Sequence, residues 1–77
     1  ATDAPTPAEA LVAATETAQL VSCLAALGDV HRHVVTLRVL EELSSDEAAR
    51  VLGMTPGNVG VVLHRARKQL ERCMLAA

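Results

Sequence analysis

The stretch from Leu43 to Leu70, LSSDEAARVLGMTPGNVGVVLHRARKQL, holds two helix starts so close together that the first helix has room for only about eight residues. A helix that short cannot hold itself in water, so its neighbours must grip it. Ser44 is placed to cap it, Glu47 to close a capping box three residues on, and Leu43 to staple onto Ala48. Gly53 can take the positive φ that a sharp turn demands. Thr55-Pro56 then opens the next helix, with threonine as cap and proline at the first helical position. Two helices cross tightly only where their contact is small. Ala49 supplies the small residue, Val59 plugs the crossing, and Leu52, Met54 and Val62 support it. These features together describe a helix-turn-helix, whose second helix enters the DNA major groove by its N-terminal part.

The rest of the chain reads as scaffold for that unit. Residues 1–7, ATDAPTP, have no apolar periodicity and look like a linker or frayed terminus. A start without Met suits a piece cut from a longer protein. The helix-turn-helix domain is expected over residues 8–77. An Ala-rich helix is predicted from about Ala8 to Leu27, with Leu11, Ala14, Ala18, Val21, Leu24 and Ala25 as its buried stripe. Gly28 ends it and Asp29 caps a second helix running to about Glu42. Its apolar side is marked by Val30, Val34, Leu37 and Leu40 or Glu41, widened by Val35 and Val39. The last helix runs to about Met74 and buries Val59, Val62, Leu63, Ala66, Leu70, Cys73 and Met74. No strand pattern appears, so the expected fold is all-α, a small bundle of about four helices without a wing.

Seventy-seven residues, 51% of them apolar, make one small domain with little stability to spare. The absence of Phe, Tyr and Trp makes the core aliphatic. It also excludes readers of single strands or RNA that stack bases on aromatic platforms. Cys23 and Cys73 lie in apolar-periodic segments without CxxC spacing and read as buried, reduced thiols rather than a disulfide or metal site. His31 and His33, two residues apart, do not share a helical face, so no metal site is expected. There is no nucleophile–base pair, ligand cluster or phosphate loop, and neither catalysis nor a cofactor is expected. Without a signal peptide or membrane span, the default setting is the cytoplasm.

Charge is distributed unevenly. Residues 1–29 carry four carboxylates and no Lys or Arg, whereas from Thr55 onward Arg65, Arg67, Lys68 and Arg72 face only Glu71. This asymmetry points to a polyanion as partner of the C-terminal helix. Arg65, Arg67 and Lys68 are placed to reach phosphates, with Arg65 also a candidate for the groove itself. Thr55, Pro56, Gly57, Asn58, Gly60, Val61 and His64 form the end that meets base edges. Arg38 and Ser44 are candidates for contacts to the DNA backbone from the supporting helices.

From Leu27 to Arg72 the sequence resembles region 4, the C-terminal domain of extracytoplasmic-function sigma factors. VVTLRVLEELS, EAARVLGMTPGNV and the ending LHRARKQL carry the resemblance. The HRAR-type tail separates it from regulators of the LuxR type. The resemblance implies binding of double-stranded promoter DNA at the −35 element and docking on the β flap of core RNA polymerase. It also implies a preceding sigma domain that opens the −10 element, outside this chain, and an anti-sigma factor as a possible partner. Two departures stand out. Gly60-Val61-Val62 replaces a basic or hydroxyl-bearing run, although Val61 can still meet a thymine methyl. Glu42 and Ser45 replace the usual glycine and aromatic residue.

Two other functions fit the same residues. One is the helix-turn-helix output domain of a dimeric transcriptional regulator, which would protect a two-fold symmetric site. The other is a module that mainly binds an anti-sigma protein, consistent with the acidic first helix.

Overall fold

Thr6 and Glu9 open the first helix with a reciprocal box: Glu9 N–H donates to Thr6 Oγ1 and Thr6 N–H to a Glu9 carboxylate oxygen, each at 3.2 Å. The computed structural model describes residues 6–76, in which α1 spans Pro7–Ala26. The helix therefore begins inside the stretch expected to be linker, because T-P-A-E supplies both a cap and a proline at the first position. Residues 1–5 of that linker lie outside the described residues. After α1 come α2 (Asp29–Val35), a π-helical turn (Thr36–Leu40), α3 (Ser45–Leu52) and α4 (Pro56–Ala76). Among the described residues there is no strand, and the all-α reading holds.

The α2 segment departs from expectation in two ways. Gly28, in extended conformation, occupies the cap position, while Asp29 is the first helical residue and pairs with Arg32 at 2.7 Å. The Arg32 guanidinium also donates to the Ala25 and Leu27 carbonyls at 3.4 and 3.3 Å, satisfying the end of α1. The helix expected to run to Glu42 instead widens after Val35. Glu41 N–H reaches the Thr36 carbonyl at 2.9 Å, an i→i−5 bond, and Leu43 N–H reaches that of Leu37 at 2.9 Å. The wide turn leaves Val39 and Leu40 exposed and brings Arg38 against the α3 entry.

Two apolar clusters hold the molecule together. One joins Val34, Ala48, Ala49, Val59 and Val62, supported by Leu37, Leu52, Met54 and Leu63. It is the crossing foreseen between α3 and α4, and Val34 and Val59 are wholly buried in it. Burial of each valine contributes about 1.5–3 kcal/mol. The other joins Leu27, Val35 and Ala66, with Leu24, Leu63 and Leu70 beside them.

The first helix is packed differently from its predicted stripe. Leu11 and Val21 are exposed, as are Ala14, Ala18 and Ala25, and only Leu24 of that set is half-buried. The residues that face the bundle are Gln19, Cys23 and Leu27, spaced four apart. Alanine-rich sequence gives little contrast between faces, so the periodicity did not fix the register. The cysteines are also corrected: Cys23 and Cys73 form a disulfide across 50 residues, with Cα atoms 5.8 Å apart. Sequence spacing carried no sign of it, because the ends of α1 and α4 become neighbours only through the fold.

Candidate nucleic-acid interface

Local chemistry fixes α4 at its start. Gly53 closes α3 with φ +65°, and Met54 N–H donates to the Ala49 carbonyl at 3.0 Å. Thr55 Oγ1 then accepts from Asn58 N–H at 3.1 Å, capping α4, and Pro56 follows as its first residue. Burial of Val59, Val62 and Ala66 fixes the rotation of the helix.

The rotation decides which side chains face away. At 3.6 residues per turn, Gly57, Val61, His64, Arg65, Lys68, Glu71 and Arg72 share about 120° of arc opposite the buried face. All seven are exposed. Glycines 57 and 60 have open space where a Cβ would stand. Val61 is 46% exposed with nothing to bury it. Among the described residues no carboxylate pairs with Arg65, Arg67, Lys68 or Arg72, so these charges face solvent. The surface thus has a bare, weakly polar N-terminal part and a basic C-terminal part. It can insert into a groove at one end and neutralise phosphates at the other.

The fold does not bring all the predicted residues to this face. Asn58, Gly60 and Arg67 lie on its flanks. Arg67 lines an apolar groove with Leu20, Leu24, Val35, Val39, Leu40 and Leu70, on the side where α1 and the π turn meet α4. Arg38 is engaged within the fold: it donates to the Leu43 carbonyl at 2.6 Å, and its Nε is buried without a partner among the described residues. Ser44 Oγ accepts from Glu47 N–H at 3.1 Å as the cap of α3, which leaves its own O–H free to donate. That bond ties the hydroxyl to the α3 start, and the Ser44 backbone N–H, followed by the hydroxyl, holds the Glu47 carboxyl below its ordinary pKa, opposed by desolvation and aided to a lesser extent by Arg50.

Sequence reasoning missed the Gln19 side-chain bond to the Met74 carbonyl, at 2.9 Å, which with the disulfide fastens α1 to α4. A polar residue among alanines was the available signal. No described helix is long and apolar enough to cross a membrane.

A family model described as Sigma-70, region 4 matches residues 17–70. The chain is 44% identical over 48 residues to RNA polymerase sigma factor YlaC of Bacillus subtilis, covering 62% of this chain and 28% of that protein. It is 41% identical over 59 residues to RNA polymerase sigma-E factor of Streptomyces coelicolor, covering 77% and 33% respectively. With ECF RNA polymerase sigma factor ShbA of Streptomyces griseus it shares 35% identity over 65 residues, covering 84% and 34%. The chain spans about a third of the length of these relatives. No solved structure matches it.

Proposed function

The chain belongs to the sigma-70 region 4 family, and on that premise we propose that it recognises the −35 element of promoters for an extracytoplasmic-function sigma factor. The observation that carries this reading is the exposed, unpaired face of α4 opposite Val59, Val62 and Ala66. Asn58, Val61 and His64 meet base edges, aided by Thr55, Pro56, Gly57 and Gly60 at the groove. Arg65 and Lys68 hold the flanking phosphates, and Ser44 adds a phosphate contact from α3. The mechanism is positional: the domain fixes polymerase upstream while a separate sigma domain melts the DNA. Catalysis plays no part in this role, which is exercised in the cytoplasm.

Arg67 and the apolar groove beside it suit a protein partner rather than DNA. We assign that side to core RNA polymerase, through the β flap, with an anti-sigma factor as competitor for the same surface. An acidic, amphipathic partner segment fits the groove and its arginine.

Arg65→Ala tests the DNA reading. Its loss should weaken binding to a promoter duplex by about 1–3 kcal/mol. The two cationic contacts, Arg65 and Lys68, would set the slope of log K against log salt at about −2. An affinity unchanged at low salt removes Arg65 from the interface. Footprinting with and without core polymerase separates this role from a dimeric regulator, which protects a two-fold symmetric site on its own.

A further inference from the structure

The tie between α1 and α4 combines the disulfide, the Gln19 bond and a small apolar cluster. Of the 20 residues of α1, Cys23 alone is buried, with Gln19 and Leu24 half-buried near it and Leu27 following. The cluster at the helix-turn-helix crossing contains no α1 residue, whereas the second cluster depends on Leu24 and Leu27. The domain is thus divided into a reading unit and a clamped helix. The two residues differ in exposure: Cys23 is 3% exposed, while Cys73 is only half-buried, near the end of α4.

We propose that Cys23–Cys73 is a thiol–disulfide latch, which holds α1 on α4 when oxidised and releases it when reduced, leaving the helix-turn-helix folded. The reductant is a dithiol. Its thiolate attacks the sulfur of Cys73, the more exposed residue of the pair, the S–S bond breaks, and Cys23 leaves as a thiolate that takes up a proton. The second thiol of the reductant then attacks the mixed disulfide and expels Cys73, which is protonated in turn. Two electrons pass from the dithiol, which becomes a disulfide, to the cysteine pair. Release of α1 uncovers Leu24, Leu27, Ala66 and Leu70, so the redox state controls an apolar surface beside the groove. The freed helix keeps its own start through the Thr6–Glu9 box. Disulfides that form in reducing compartments are mostly transient or sensing, which suits a latch in the setting proposed above. The latch itself does not rest on the promoter reading, and its test needs no DNA.

The test is amide hydrogen exchange on the intact chain, oxidised and then reduced with excess dithiothreitol, alongside the Cys23→Ser/Cys73→Ser double variant. Residues 20–27 should exchange at least about tenfold faster in the reduced chain and in the variant, while α3 and residues 59–66 stay within about twofold. Reoxidation should restore the slow rates. Unchanged exchange in α1 would overturn the proposal by showing that packing alone holds the helix. Global unfolding on reduction, or failure of the double variant to fold, would overturn it too, making the bridge a staple of the whole domain. So would a bridge that excess dithiothreitol leaves intact in the folded chain.

Discussion

The Arg38 guanidinium donates to the Leu43 carbonyl at 2.6 Å, tying the π turn to the residue that leads into α3. Arg38→Ala should therefore act on stability. A charged donor to a partly buried carbonyl contributes about 1–3 kcal/mol, and the buried, unpartnered Nε draws the value towards the lower end. Urea unfolding gives the loss. The salt slope of DNA binding by the folded variant should stay unchanged; a slope smaller by about 1 would instead place Arg38 on a phosphate.

Glu42 sits at φ +56° in the same connection, a left-handed conformation that favours glycine. A side chain there costs roughly 1–2 kcal/mol, partly offset by the greater freedom glycine has in the unfolded chain. Glu42→Gly should raise stability by about 0.5–1 kcal/mol. A lower denaturation midpoint in the variant would contradict this.

At the start of α3 the stability is pH-dependent. The Glu47 carboxyl accepts from the Ser44 N–H at 3.0 Å and its pKa is lowered in the folded state. A depressed carboxyl contributes stability above its unfolded pKa, and that contribution is lost as pH falls through the folded value. Glu47→Gln should therefore melt below the parent chain at about pH 7 and approach it at about pH 3. An equal gap at both values would argue against the bond. Ser44→Ala, which removes the hydroxyl of the box, should cost about 1 kcal/mol.

Val61 is exposed on the outer face of α4 and belongs to neither apolar cluster. Val61→Ala should leave the melting temperature nearly unchanged and weaken promoter binding by about 1–2 kcal/mol if the side chain covers a thymine methyl. Replacing thymines of the −35 element one at a time by deoxyuracil supplies the second arm of a double-mutant cycle. At the contacted base, the two losses should not add. Full additivity at every base would separate Val61 from the methyl groups.

The helix-turn-helix was legible in the sequence because its signals are local. Ser44 with Glu47, Gly53, and Thr55-Pro56 each determine a helix end within a few residues, and all three ends stand where expected. The buried side of α4 was legible for a similar reason: Val59, Val62, Leu63, Ala66 and Leu70 recur at three- and four-residue spacing along one helix. What escaped was long-range or low in contrast. The alanines of α1 gave no preferred face, and pairing of Cys23 with Cys73 requires the tertiary fold. The π turn was hidden because nothing in TLRVL distinguishes a wide turn from an α-helical one. At the interface, composition identified the basic helix, but only the rotation of α4 separated Lys68 from Arg67.

Gly53 has open space around the position of a Cβ, so no neighbour forbids a larger residue there. The restriction is one of handedness alone, since φ +65° is the mirror image of the backbone that L-residues prefer. The turn between α3 and α4 thus rests on an achiral point in a chiral chain. Chemical synthesis makes this checkable: D-alanine at position 53 should be accepted and even steady the turn, whereas L-alanine should strain it by about 1–2 kcal/mol.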